Sequence, residues 1–418
     1  MAGSLNLPLS GDRLRILIWI CVLISVNQLG FGSIVPVVPL YASDFGVSKS
    51  AIGATIAIYG LARFLFNVPA GQIADQFGRR STLAIGGATT VVGNALCALA
   101  PDYSIFLAAR FVAGAGAAMV LTGGQIVLAD IASPENRGRV MAVYQGVFLV
   151  SVGAGAFPGG LLAEHYGLAA PFVANASLAA IVTILAWWVV PETRNLRHIA
   201  GAVAMALPPL GQQLRLITAT PGFLLVSVVS FTSFFARTGA LFTVIPILAQ
   251  ERMGLAAGQI GFGLGMISLL GLLLAYPSGV LVDRFGRKTV IVPSTLLTAA
   301  AMLLFSGANG FTWFVVSCIV WSAASGISGA APAAYAADMA PAGMNAAALS
   351  GYRMLADLGY VVGPLSLGIV ADLASPTAAL WVTALFLTIS GLSFARFAPE
   401  THPPRATNLR DEVVLPPP

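Results

Sequence analysis

Apolar segments of about 20 residues recur along the whole chain, and each is long enough to cross a bilayer as a helix. Only 9% of the 418 residues are charged, against about 25% in soluble domains. These segments lack the two-residue alternation of transmembrane barrel strands. The sequence therefore predicts an all-α membrane protein with many transmembrane helices, and it excludes an ordinary soluble protein.

The apolar segments number twelve, and one long polar connector divides them into six and six. The expected division is a first bundle over residues 1–190, a cytoplasmic linker over 191–221, and a second bundle over 222–418 that ends in a short cytoplasmic tail. The predicted spans are 16–40, 50–72, 82–100, 104–129, 139–163, 170–190, 222–249, 258–281, 289–307, 311–336, 347–371 and 377–397.

The two halves repeat one another at a fixed offset of 208 residues. Residues 75–79 read Asp-Gln-Phe-Gly-Arg, and residues 283–287 read Asp-Arg-Phe-Gly-Arg. A Pro-Glu-Thr triplet at 191–193 likewise returns at 399–401. Because each half has an even number of spans, the halves must share one orientation about an axis along the membrane normal.

The distribution of basic residues predicts the orientation, because Lys and Arg are retained on the cytoplasmic side. Fifteen of them fall on the face that carries both termini, whereas only Lys49 and Arg252 fall on the other face. We therefore expect both termini to be cytoplasmic.

The composition of two lysines and 19 arginines, with much Ala and Gly, suggests a GC-rich bacterial genome and hence an inner-membrane location.

The segment Gly71 to Arg80, GQIADQFGRR, and its copy from Gly279 to Lys288 resemble the signature loop of the major facilitator superfamily. Two copies at the expected places extend the resemblance over the whole chain. It implies two six-helix pseudo-repeat bundles and a latch that stabilises the outward-open state. The alternative is that these charges only fix topology. The residues assigned to the gating motif are Gly71, Asp75, Gly78, Arg79, Arg80, Asp130, Gly279, Asp283, Gly286, Arg287 and Arg353.

Two further motifs resemble those of this superfamily. Arg110, followed by small residues, matches its intramembrane arginine, which implies proton coupling or organisation of the site; alternatively Arg110 only binds carbonyls of the first helix. A glycine-rich stretch in the fifth span is similar to the motif of drug/proton antiporters, although the proline expected after Gly155 stands at 158. The helix-packing residues are Gly155, Pro158, Gly159 and Gly160 in the fifth span and Gly363, Pro364 and Gly368 in the eleventh.

Polar and charged residues inside the spans are the candidates for a substrate cavity, because such residues are costly in lipid. Arg353 and Asp357 can pair at i,i+4, which leaves Arg63 and Arg237 without an evident acidic partner. An anionic substrate would supply the missing charge. The cavity candidates are Asn27, Gln28, Phe31, Tyr59, Arg63, Asn67, Arg110, Arg237, Asp357 and Tyr360.

Asp357 is the only acidic residue deep in a span, so it is the first candidate for proton coupling, with Arg110. We expect a monomeric, non-enzymatic carrier that exports small amphipathic or organic-anionic compounds in exchange for protons. The alternatives are a facilitator or importer of an organic anion, and a non-transporting receptor. Its expected partners are a small-molecule substrate, protons and the lipid bilayer, with no cofactor, metal or nucleic acid.

Overall fold

The computed structural model describes residues 11–133, 136–194, 220–329, 331–340 and 345–401. Within them, twelve helices are long and apolar enough to cross a membrane, which confirms the predicted fold class. The helices of the first bundle are α1 Gly11–Ile34, α2 Lys49–Phe77, α3 Arg79–Ala98, α4 Tyr103–Ile131, α5 Arg137–Tyr166 and α6 Ala170–Trp188. Those of the second are α7 Pro221–Glu251, α8 Ala257–Phe285, α9 Arg287–Gly307, α10 Phe311–Asp338, α11 Asn345–Leu373 and α12 Pro376–Phe397.

Three spans differ from the prediction by more than small shifts of a helix end, such as the end of α2 at Phe77 and that of α8 at Phe285. The first ends at Ile34 and not at 40, because Pro36 has no N–H to continue the ladder, and a short helix, Val38–Ser43, follows. Span α10 is interrupted after Ser328 by Gly329, whose φ of +44° lies in the left-handed region. Most of the linker lies outside the described residues.

The third difference is a π-helix in the middle of α7, over Ala236–Val244. Its wider turn is visible where the N–H of Ile245 donates to the carbonyl of Ala240, five residues back. Pro246 follows and cannot donate the α-helical bond. Short π-helical segments are often found at functional sites, and this one carries the candidate residue Arg237.

The bundles meet along two helix pairs, α5 with α8 and α2 with α11. Glycines let the helices approach closely: Gly53 packs against Pro364, and Gly153 against Ser268. We call the end of the molecule that carries Lys49 the Lys49 end, and the end that carries the α2–α3 loop the Gly78 end. Toward the Gly78 end, Gly71 has open space where a Cβ would project. The glycine contacts between the bundles thus lie toward the Lys49 end.

Candidate functional site

A cluster of arginines and tyrosines lies where α2, α4 and α11 approach one another. The guanidinium carbon of Arg110 lies 4.4 Å from the centroid of the Tyr59 ring, which also stacks on Phe31 at 5.4 Å. Nε of Arg110 donates to the carbonyl of Thr55 at 3.3 Å. The carbonyl therefore belongs to α2 and not to the first helix, which corrects that alternative. Arg110 is 2% exposed, and its Nη1 has no hydrogen-bond partner.

Arg63 lies on α2 where this helix approaches α11 of the other bundle. Its guanidinium carbon is 5.8 Å from the centroid of the Tyr360 ring on α11. Asp357, one helical turn from Tyr360, lies within electrostatic range of both Arg63 and Arg353. Nε of Arg63 is buried and has no hydrogen-bond partner. An arginine of one bundle thus lies within electrostatic range of the deep carboxylate of the other.

The predicted pairing within α11 does not take the form of a close ion pair. Arg353 and Asp357 both lie in the described part of α11, but no ion pair within 4 Å joins them. Asp357 lies within electrostatic range of Arg63, but no ion pair within 4 Å joins these two described side chains either. For Arg237, in the π-helix of α7, the contact in the described structure is the ring of Phe234, 5.9 Å away. The cluster therefore contains more arginines than carboxylates.

The remaining cavity candidates divide into a buried pair and an exposed residue. Nδ2 of Asn27 donates to Oε1 of Gln28 at 2.9 Å, and both side chains are buried, so these two amides bind each other. Asn67 is exposed and accepts a bond from Thr122 at 3.3 Å. Asn67 therefore lies on a surface that a solute can reach, whereas the Asn27–Gln28 pair does not in this conformation.

The first signature loop is a closed network around a buried arginine. Nε of Arg79 donates to Asp130 at 2.9 Å, and its Nη1 lies 3.2 Å from Asp75. The side chains of Arg79 and Asp130 are only 1% and 4% exposed. Gly78 has φ +95°, which an L side chain rarely adopts. Arg80 stacks over the ring of Trp187 at 4.7 Å.

The second copy repeats this geometry with more exposure. Nε of Arg287 lies 3.1 Å from Asp338, and their side chains are 18% and 34% exposed. Gly286 has φ +94°, close to the value at Gly78. The side chain of Asp283 lies outside the described part of the structure, as do its contacts. Burial thus distinguishes the two copies more clearly than sequence does.

Two carboxylates that sequence analysis gave no role complete these loops. Glu192 accepts the backbone N–H groups of Arg79 and Arg80, at 3.1 and 3.3 Å. Glu400 accepts those of Arg287 and Lys288, at 3.1 and 3.4 Å. Each caps the N-terminus of α3 or α9, where a negative charge is favourable. The signal was visible as the repeated Pro-Glu-Thr triplet.

The glycine motif joins α5 to two different helices. Gly155 packs against the carbonyl of Leu29 and Gly159 against that of Ser33, both on α1 of the same bundle. Only Gly160 of these three reaches α8 of the other bundle. Small side chains are needed because the backbones approach so closely. Of these three glycines, Gly160 therefore contributes to the α5–α8 contact, whereas Gly155 and Gly159 pack within the first bundle.

The equivalent residues of α11 follow the same division. Gly363 packs against the backbone of Phe235 on α7, whereas Gly368 meets α2 of the first bundle at Lys49. The carbonyl of Pro364 lies against Gly53, also on α2. Pro158 and Pro364 both lie inside their helices. Among the described residues, no group of three or more His, Cys, Asp or Glu is arranged to hold a metal ion.

Comparison with known proteins agrees with this architecture. The family model of the Major Facilitator Superfamily matches residues 20–273 and 226–416. The tetracycline resistance protein, class C, of Escherichia coli is 27% identical over 86% of this chain and 89% of its own length. Multidrug resistance protein 2 of Bacillus subtilis is 24% identical over 84% of this chain and 87% of its own length.

Among solved structures, the chain resembles a bacterial homologue of the human lysosomal transporter Spinster in an inward-facing and occupied conformation. The TM-score is 0.77 at 14% identity, and the match covers 92% of this chain and 97% of the other. At that identity the likeness concerns the fold. The family match over nearly the whole chain, together with the twelve helices and the duplicated loops, places this multi-pass membrane protein among transporters rather than enzymes. The chain belongs to the major facilitator superfamily.

Proposed function

We propose that this chain is a secondary active transporter that exports small amphipathic or organic-anionic compounds in exchange for protons, by alternating access. In this mechanism the units 1–190 and 222–418 rock about the central cluster, joined by the linker 191–221. The protein acts as a monomer in a bacterial inner membrane, with the Gly78 end in the cytoplasm. Similarity to the tetracycline and multidrug resistance proteins supports export.

The observation that carries the proposed substrate class is the surplus of unpaired donors in the central cluster. Nε of Arg63 and Nη1 of Arg110 are buried without a hydrogen-bond partner. A buried donor without a partner costs free energy, and a bound acceptor removes that cost. A carboxylate, sulfonate or phosphate fits a guanidinium through paired hydrogen bonds. The aromatic rings of Tyr59, Tyr360 and Phe31 offer apolar contact to the rest of an amphipathic molecule.

Asp357 is the proposed proton-coupling residue because it shares Arg63 with the cargo. Its carboxylate and an anionic substrate are both negative, so they compete for the same guanidinium. Protonation of Asp357 releases Arg63 for the substrate. Arg110, which binds α2 through Thr55, supplies further positive charge beside Tyr59.

For an anionic cargo, this competition favours a second candidate function over exchange, because protonation of Asp357 and binding of the anion then promote each other. If protonated Asp357 and a bound anion occur together, proton and anion cross in the same direction, and the protein moves an organic anion by symport. Exchange requires instead that cargo binding and protonation exclude each other. The two candidates predict opposite responses of flux to a pH gradient.

Flux in proteoliposomes tests these proposals. The purified protein is reconstituted, a pH gradient of either sign is imposed, and anionic, neutral and cationic compounds are screened. Exchange predicts that cargo moves toward the acidic side, whereas symport predicts movement toward the alkaline side. Asp357→Asn should abolish the effect of the gradient in both cases. A gradient effect that survives in Asp357→Asn would contradict the coupling assignment.

A further inference from the structure

Two acidic side chains tie each bundle to a helix N-terminus of the other bundle at the Lys49 end. Oδ1 of Asp372, at the end of α11, accepts the backbone N–H of Lys49 at 2.7 Å, and its Oδ2 accepts that of Ser50 at 2.9 Å. Oε2 of Glu164, at the end of α5, accepts the backbone N–H of Gly258 at 3.2 Å. Each acceptor is a carboxylate at the positive end of a helix, where a negative charge is favourable.

The two contacts are equivalent under the internal repeat. Glu164 and Asp372 are separated by 208 residues, and so are Ser50 and Gly258. The donors open α2 and α8, and the acceptors end α5 and α11, so each contact joins different bundles. A chance surface contact has no reason to recur at the same offset. The recurrence indicates that this contact is a feature of the fold.

A glycine one helical turn before each carboxylate makes the contact possible. Gly160 precedes Glu164 by four residues, and a Cβ there would meet the backbone of Ala257 and Gly258. Gly368 precedes Asp372 by four residues, and a Cβ there would meet the backbone of Lys49. Residues four apart lie on one helix face. The glycine therefore admits the N-terminus of the partner helix, and the carboxylate caps it.

We infer that Glu164 and Asp372 form a double outer latch, which holds the Lys49 end closed and must release both helix N-termini before this end can open. This inference rests on the proposed alternating access. An ion pair between Lys49 and Glu251 at 3.1 Å adds to the Asp372 side of the latch. That pair is partly exposed, and the side chains of Asp372 and Glu164 are exposed too, so solvent screens all of these contacts. The signature-loop networks at the Gly78 end lie on the opposite side of the molecule.

The test removes the charge of each carboxylate separately and together, as Asp372→Asn, Glu164→Gln and the double variant. In Asp372→Asn the side chain keeps one acceptor oxygen and places its NH₂ group beside a backbone N–H donor. At least one of the two hydrogen bonds to Lys49 and Ser50 is therefore lost. Asp372→Glu keeps both oxygens and should retain more of the closed state. The control is Asp102→Asn, because Asp102 caps the N-terminus of α4 within its own bundle, at 3.0 Å from the N–H of Ile105.

Two pairs of spin labels report the two ends in a cysteine-free background. Positions Asp44 and Ala374 are exposed and lie on different bundles at the Lys49 end. Positions Gln76 and Arg284 are exposed and lie on different bundles at the Gly78 end. Distance distributions from electron paramagnetic resonance then give the populations of the two states without any cargo.

Each single variant should shift the population ratio toward the state open at the Lys49 end by about fivefold. The double variant should shift it by the product, about 25-fold, because the two contacts share no residue. The longer 44–374 distance should be accompanied by a shorter 76–284 distance. The Asp102→Asn control should leave both distributions unchanged.

Distributions that stay unchanged in the double variant would overturn the latch, as would an equal shift in the control. Flux in proteoliposomes decides the proposed function separately. Normal flux with unmoved distances would refute the latch alone. Shifted distances without flux of any compound would support the latch and refute the proposed transport of organic anions.

Discussion

The buried ion pair between Arg79 and Asp130 has a matched, more exposed copy between Arg287 and Asp338. We predict that Asp130→Ala destabilises the protein far more than Asp338→Ala does. Both substitutions remove the same carboxylate from the same motif in one chain. Any difference between them therefore measures the environment of the pair and not its chemistry.

The magnitude follows from burial. With Arg79 at 1% and Asp130 at 4% exposure, loss of the carboxylate leaves a buried cation short of its partner. Breaking a buried pair in this way costs about 3–5 kcal/mol, and Asp75, 3.2 Å from Arg79, keeps the loss near the lower value. The second pair, at 18% and 34% exposure, is screened by water and is worth about 0–1 kcal/mol.

Thermal unfolding of the purified protein in detergent measures this difference through its cysteines. Cys97 in the first bundle and Cys318 in the second are both 0% exposed, so a thiol-reactive dye labels them only as their surroundings unfold. Asp130→Ala should lower the midpoint by roughly 6–12 °C and Asp338→Ala by at most about 2–4 °C. Equal shifts, or a larger shift for Asp338→Ala, would refute the reasoning from burial.

Two further predictions concern topology and gating. A cysteine at exposed Tyr166 should react with an impermeant thiol reagent from outside the cell, and one at Gln76 should not; the reverse pattern of labelling would invert the orientation. Asp75→Asn should strongly slow transport, measured as flux in proteoliposomes, while folded protein remains in the membrane. Asp283→Asn should slow transport less. Wild-type flux in Asp75→Asn would contradict a gating role and would mean that the charges of the loop only fix the membrane topology.

Much of the architecture was readable from the sequence, because hydrophobic length and charge placement act on each span separately. The 12 spans and the repeat of 208 residues follow from such local evidence. The π-helix at Ala236–Val244 was not readable, since Pro246 alone predicts a kink and not a change of hydrogen-bond pattern. The early end of α1 at Ile34 could have been predicted from the sequence, because a helix usually ends before the residue that precedes a proline, here Pro36.

The site was harder to predict because its contacts cross between bundles. Sequence spacing favoured a pair between Arg353 and Asp357, which lie one turn apart on α11, whereas in the structure Asp357 is also within electrostatic range of Arg63 on the other bundle. Distance along the chain cannot rank these alternatives. Glu192 and Glu400 were visible only as part of a repeat, and their capping role became clear once the start of α3 and α9 was known.

Equilibrium binding of an anionic cargo to Arg63 variants tests the central claim most directly. A cargo identified in the flux screen is titrated into purified wild-type protein, Arg63→Lys, Arg63→Ala and a control, Arg396→Ala, whose side chain is exposed on α12. Losing a charge-assisted bond should weaken binding by roughly 10- to 100-fold in Arg63→Ala. The loss should be smaller in Arg63→Lys, which keeps the charge without the paired geometry, and Arg396→Ala should match the wild type. Wild-type affinity in both Arg63 variants would contradict the claim that this arginine holds an anionic substrate.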